Sequence, residues 1–190
     1  SHLTPGHGME RQIVSEAPKA KKNVVLISIE SLGSDYVEAF GGRPGLTPNL
    51  SALTDESLSF HNLYATGLRT VRGLEAITLS VPLKDNGYDA VYLYGGFSIF
   101  DNMRAFFSGN GYDVRDRTDI ASSDIHHETI WGVADEDLFD LALRELDQRA
   151  ERPEPFFAHI MTTSNHRPYN YPEGRIDFPS PTGREGAVKY

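Results

Sequence analysis

Apolar residues fall in short blocks separated by polar, glycine- and proline-rich stretches. The clearest block is Asn23-Val-Val-Leu-Ile-Ser-Ile-Glu-Ser31, apolar and β-branched until it meets Glu30. It predicts a buried strand over 23–30. Asp89-Ala-Val-Tyr-Leu-Tyr94 runs into Gly95-Gly96, and Pro155 precedes Phe156-Phe-Ala-His-Ile-Met161, giving two more strands. A short strand or extended segment is expected over 58–64.

Helical spacing lies between these blocks. Thr47-Pro48 is a helix start, with threonine as N-cap and proline at the first helical position. Leu74 and Ile77 share a face over 71–79. Asp101 is a candidate N-cap for a helix over 102–108, closed by Gly109 and Gly111. The strongest amphipathic period covers 136–150, through Leu138, Leu141, Ala142 and Leu146. Residues 31–45 read as loop with at most one helical turn, and the segment after 168 as loop. Alternating strands and helices predict an α/β sheet with parallel strands.

The chain has 190 residues, 39% hydrophobic and 24% charged, enough for one packed domain. Residues 1–22 read as a flexible tail or linker and 23–190 as the folded part. The net charge of −9 argues against a nucleic-acid partner, though local arginines can still hold an anion. With no cysteine, thiolate ligands, a cysteine nucleophile and disulfides are excluded. No run approaches the roughly 18 apolar residues of a membrane span.

Candidate chemistry clusters at strand ends. Glu30 is either a surface carboxylate capping the next turn or, behind its apolar strand and beside Ser31, a metal ligand. Thr70 lies in Gly67-Leu-Arg-Thr-Val-Arg-Gly73. It is either a loop hydroxyl bonding its own backbone or a nucleophile, with Arg69 and Arg72 flanking an anion. Threonine needs activation, so a metal goes with the second reading. Ser164-Asn165-His166-Arg167-Pro168-Tyr169 leaves the 156–161 strand. His166 and Arg167 could bind an anionic oxygen or protonate a leaving group, or the segment could be a simple turn. Trp131 could wall a pocket at a helix entry whose acids suit the first turn. Asp101 and Asn102 are a cap first and substrate contacts second. His126 and His127 read as exposed, and His159 as a core histidine.

Taken together and in order, these motifs resemble the sulfatase-like phosphoglycerol transferases. They are the 23–31 strand, Arg69-Thr-Val-Arg-Gly73 with Leu74-Glu75-Ala76, Tyr94-Gly-Gly with Phe100-Asp-Asn-Met103, Trp131-Gly with Asp135-Glu136, and Thr163-Ser-Asn-His-Arg-Pro-Tyr169. This is the lipoteichoic acid synthase-like group of the alkaline phosphatase superfamily, in its Gram-negative branch. The resemblance implies a three-layer sandwich around a mainly parallel sheet, incomplete at its C-terminus.

It also implies a divalent metal (Mn²⁺, Mg²⁺ or Zn²⁺) held by Glu30 and Thr70, with Thr70 as nucleophile and His166 on the substrate phosphate. The donor would be a phospholipid head group, and the acceptor a glycan or glycerol. The enzyme would be tied to the inner membrane by preceding helices, its catalytic domain facing the periplasm. The family's other ligands, an Asp-His pair, have no counterpart here, and roughly twenty residues are expected to be missing near Pro82. Two ligands fall short of the about four that a stable site needs, so the 190-residue piece alone is expected to bind the metal weakly or not at all and to show little or no activity. Phosphoethanolamine transfer, phosphodiester or sulfate-ester hydrolysis, and a non-catalytic ectodomain are the alternatives.

Overall fold

The structure is a computed structural model that describes residues 2–5, 11–14, 20–78 and 83–190, the first two segments by backbone alone. The expected gap near Pro82 lies outside the described residues.

Four parallel strands form the central sheet: β3 (Val24–Ser28), β4 (Asp89–Tyr94), β5 (Asp113–Arg115) and β8 (Phe156–Met161), in the order β3-β8-β4-β5. β4 and β8 lie in the middle. That position explains sequences apolar on both faces, where a half-solvated strand would alternate. Tyr92 and Tyr94 of β4 share one face with Met161 of β8 and pack on Leu74 of α2 (Thr70–Thr78) and on Met103 and Phe107 of α3 (Met103–Gly109). Val91, Leu93, Ala158 and Ile160 fill the opposite face against Leu138, Leu141 and Ala142 of α4 (Asp135–Ala150). The result is the expected three-layer α/β sandwich.

On the α2/α3 face the Tyr92 ring stacks on Phe107 at 3.6 Å between centroids, and the Tyr92 hydroxyl donates to Met103 Sδ. His159 is fully buried there, with Nε2 2.8 Å from Ser28 Oγ. Burial lowers its pKa to about 4, so the ring stays neutral, and its Nδ1 has no partner among the described residues.

Several elements differ from expectation. β3 is an edge strand, not a buried one: Val25 and Ile27 are 45% and 48% exposed. An apolar run reads the same at a sheet's edge as at its centre. The strand also stops at Ser28, so Glu30 sits two residues beyond its end. Residues 58–64 form no strand; Leu58, Phe60, Leu63 and Tyr64 are exposed and no described strand pairs with them. Asp101 does not cap α3. It takes φ 50°, and Asn102 is the N-cap residue, itself left-handed and without a side-chain cap bond.

The 31–45 loop holds two 3₁₀ turns, Ser34–Tyr36 and Glu38–Phe40. α1 (Pro48–Thr54) starts where proline predicts. β1 (His2–Pro5) pairs antiparallel with β2 (Arg11–Val14) inside the segment read as a tail. β6 (Glu128–Thr129) and β7 (Gly132–Val133) form a small hairpin that offers no period to read. The segment read as terminal loop ends in α5 (Arg184–Lys189), seated by the buried Ala187.

Candidate active site

The loops that leave β3, β4 and β8 emerge together at the carboxyl ends of the parallel strands, where open α/β sheets place their ligands. They bound a cleft of about 270 Å³ lined by Glu30, Ser31, Arg69, Thr70, Tyr94, Phe100, Asp101, Trp131 and His166 among others.

Glu30 and Thr70, forty residues apart in sequence, meet here. The Thr70 hydroxyl donates to Glu30 Oε2 at 2.9 Å, and the Ser31 hydroxyl donates to Oε1 at 2.7 Å. Glu30 is buried. Its backbone is tied to the β8 loop on both sides. Its N–H donates to Thr162 Oγ1 at 3.0 Å, and its carbonyl accepts from Asn165 Nδ2 at 2.8 Å. Thr70 opens α2, so the positive end of the helix and its unpaired N–H groups face the same spot. Among the described residues no basic side chain pairs with the Glu30 carboxylate.

Arg69 lines the cleft and makes no ion pair among the described residues. Arg72 does not join it. Its guanidinium turns to Glu75 at 2.9 Å on the exposed side of α2, a contact one helical turn makes automatically. His166 is in place. Its ring lies 3.9 Å from Trp131 between centroids, and its Nδ1 is 2.9 Å from the Arg167 carbonyl. A carbonyl can only accept, so Nδ1 carries a proton, and Nε2 becomes a donor only when the ring is an imidazolium. Arg167 itself is exposed and bends back on Tyr169; what it gives the site is its carbonyl, shared by His166 and by Trp131 Nε1. Trp131 and Phe100 meet edge to face at 5.8 Å. Asp101 lines the cleft, whereas Asn102 is exposed and does not.

Three supporting groups are not among the candidate site residues read from the sequence, although Tyr94 and Asp135 lie within its motifs. Tyr94 ends β4 at the cleft floor. Burial first, then the negative charges of Glu30, Asp101 and Asp116, push its pKa up to about 12, so it remains a neutral phenol. Asp135 accepts from the N–H groups of Thr163 and Ser164 at 2.9 and 3.0 Å and so fixes the loop carrying Asn165 and His166. Burial raises its pKa against those two bonds. Asp116 holds the β4 loop through the Ser98 N–H and Arg104. Burial opposes its charge, but hydrogen bonds from Ser98 and Thr118 outweigh that and hold it well below the usual carboxylate range. Gly132 also has a positional reason. At φ 151° a Cβ would lie 2.2 Å from the Gly95 carbonyl oxygen, so only glycine lets the Trp131 hairpin touch the β4 loop.

Two oxygens, a carboxylate and a hydroxyl, suit one side of a hard divalent ion. Among the described residues no cluster of three His, Asp or Glu completes such a site. The pair therefore fits part of a metal site.

An acid and a helix-opening threonine thus meet at the carboxyl edge of a parallel α/β sheet. The Sulfatase family model matches residues 22–82 and 78–178, and the chain belongs to that family. It is similar to phosphoglycerol transferase I of Xanthomonas campestris pv. campestris, 27% identical over 191 residues, covering 84% of this chain and 27% of that protein. A Vibrio parahaemolyticus protein of the alkaline phosphatase superfamily superposes with a TM-score of 0.84 at 37% identity, over 91% of this chain and 48% of that one. The C-terminal periplasmic domain of Escherichia coli EptC, solved as a complex with Zn, shares the fold with a TM-score of 0.63 at 18% identity, over 93% and 58%. The chain thus spans about a quarter of the curated relative and about half of the Vibrio structure. Among the described residues no helix is long and apolar enough to cross a membrane.

Proposed function

We propose that this chain carries the nucleophile half of a phosphoglycerol transferase site, in which Thr70 takes a phosphoglycerol group from a phospholipid and passes it to a glycan or glycerol hydroxyl. The observation that carries this reading is the 2.9 Å bond from Thr70 to the buried Glu30 in a cleft that also holds Arg69 and His166. The name of the Xanthomonas relative supports phosphoglycerol as the group transferred.

A divalent metal, when bound, would lower the pKa of the threonine hydroxyl and draw charge from the phosphoryl oxygens. Glu30 and Thr70 would hold it. The zinc complex of the EptC domain supports such an ion, and the periplasmic location of that domain supports a site outside the inner membrane. Thr70 Oγ attacks phosphorus, forming the Oγ–P bond as the bond to the diacylglycerol oxygen breaks. Its proton has Glu30 as an acceptor already in place. Arg69 and the start of α2 face the charge that grows on the phosphoryl oxygens. His166 as imidazolium would give its Nε2 proton to the leaving oxygen. An acceptor hydroxyl then reverses the step and frees Thr70.

A second reading, phosphoethanolamine transfer, is favoured by one feature. Asp101 lines the cleft with no partner among the described residues and could receive an ammonium group. A sulfatase needs a modified cysteine or serine, and Thr70 stands at that place.

The test is acid quenching of the full-length protein with phosphatidylglycerol and Mn²⁺, then peptide mass spectrometry. A phosphoglycerol adduct on Thr70, absent from Thr70→Ala, is expected. A phosphoethanolamine adduct formed in preference from a mixed donor pool moves the reading to the second alternative. Unchanged turnover in Thr70→Ala would remove Thr70 as the nucleophile, and a wild-type protein with neither adduct nor turnover would leave a non-catalytic ectodomain.

A further inference from the structure

Ser31 occupies the third position of a tight turn closed by the Leu32 N–H on the Ile29 carbonyl at 3.4 Å, and it takes φ 52°. That position of a type II turn calls for glycine or asparagine. Serine takes it at a steric cost and adds a hydroxyl that glycine lacks. This hydroxyl holds Glu30 Oε1 at 2.7 Å, leaving Oε2 for Thr70.

The turn is gripped from outside. Arg184, the first residue of α5, donates from its guanidinium to the Ser31 carbonyl, and its guanidinium carbon lies 4.5 Å from the centroid of the Tyr36 ring. Its Nε is buried without an acceptor among the described residues, so carbonyl and ring are what hold the head group. A chain of contacts therefore runs from α5 to Ser31, to Glu30, to Thr70, across 153 residues of sequence between its first two members.

We propose that Arg184 is a positioning residue for the reaction: it locks the Ser31 turn in its left-handed conformation and so aims the Glu30 carboxylate at Thr70 and the metal. Arg184 does not line the cleft, so it acts through the turn. Outer contacts that orient a ligand typically change metal affinity by about 10–100-fold. This role presupposes the Thr70 phosphotransfer reading, so the test carries one readout independent of it.

Arg184→Met, Arg184→Lys, Ser31→Ala and the Ser31→Ala/Arg184→Met double variant are compared in the full-length protein. One readout is the rate of Thr70 adduct formation from phosphatidylglycerol; the other is Mn²⁺ affinity, by electron paramagnetic resonance with the metal alone. Arg184→Met should lose about tenfold in both, and Arg184→Lys, which keeps a donor for the carbonyl, should recover most of it. The double variant should be no worse than the poorer single, since both act through one turn. Wild-type affinity and rate in Arg184→Met, or losses that multiply in the double variant, overturn the assignment. If Arg184→Met does not fold, Tyr36→Leu removes the ring alone and must show the same losses. A wild-type protein that forms no adduct sinks the phosphotransfer reading, and the Mn²⁺ affinities then judge Arg184 by themselves.

Discussion

Replacing Glu30 by glutamine removes a buried charge at constant shape. In the metal-free protein the carboxylate carries a desolvation penalty of several kcal/mol. Against it stand two charge-assisted hydrogen bonds, from Thr70 at 2.9 Å and Ser31 at 2.7 Å, of about 1.5–3 kcal/mol each. Glutamine keeps both contacts by accepting from one hydroxyl and donating to the other. The two terms offset, so Glu30→Gln should unfold within about 1 kcal/mol of wild type, or roughly 2–4 °C in Tm for a chain of this size. With Mn²⁺ the variants should part in the full-length protein, since the described residues of this chain supply only part of the metal site. At a metal concentration 100 times its Kd, wild type gains about 2.7 kcal/mol, and Glu30→Gln, without the anionic ligand, gains almost none. Adduct formation on Thr70 should fall at least about a hundredfold. The assay is differential scanning calorimetry with chelator and across a Mn²⁺ series. Equal Mn²⁺-induced Tm shifts in the two proteins would refute Glu30 as a ligand. A loss of several kcal/mol in chelator would refute the offset of charge burial by the two hydroxyls.

Gly132→Ala should cost about 3 kcal/mol or more in urea unfolding and weaken substrate binding as well, because the new methyl meets the Gly95 carbonyl and must displace the hairpin carrying Trp131. Arg149→Met should cost about 3 kcal/mol, since it strips a buried guanidinium from Glu145, Asp113 and Asp89. The loss is held down because Asp113 and Asp89 keep Arg115 and Arg152. The rate at Thr70 should not change, as this cluster lies at the opposite ends of the strands. His126 has its pKa raised by the hydrogen bond to the buried Asp137 and by that carboxylate's charge, with Asp140 adding and Arg175 opposing. Its contribution to stability is therefore full below the unfolded value of about 6.5 and lost as pH rises through the higher folded value. The Tm difference between wild type and His126→Gln should shrink from pH 6 to pH 8, and a difference that grows would refute the sign.

Long, strongly patterned segments were legible in the chain itself. β4 and β8 are apolar on both faces because both faces are covered, and α4 repeats its apolar residues at helical spacing because one side of it packs on the sheet. Thr70 and Glu30 could be singled out because each stands alone, a hydroxyl between arginines and a carboxylate after an apolar run. Arg72 shows where proximity in sequence misleads. It is two residues from Thr70 but lies on another side of α2, where Glu75 is one turn away. β5, β6 and β7 are two or three residues long, too short to carry a period.

Sequence alone determined the layer architecture and the residue types able to do phosphotransfer chemistry, since both follow from local pattern and side-chain identity. Tertiary structure decided which of them meet. Glu30 and Thr70, and behind them Ser31 and Arg184, are brought together by loops leaving three parallel strands and by a six-residue helix with almost no intrinsic propensity of its own. Their contacts span 40 and 153 residues. Such pairings come from the packing of the sheet and its helices, a property of the folded whole that no window of the sequence contains.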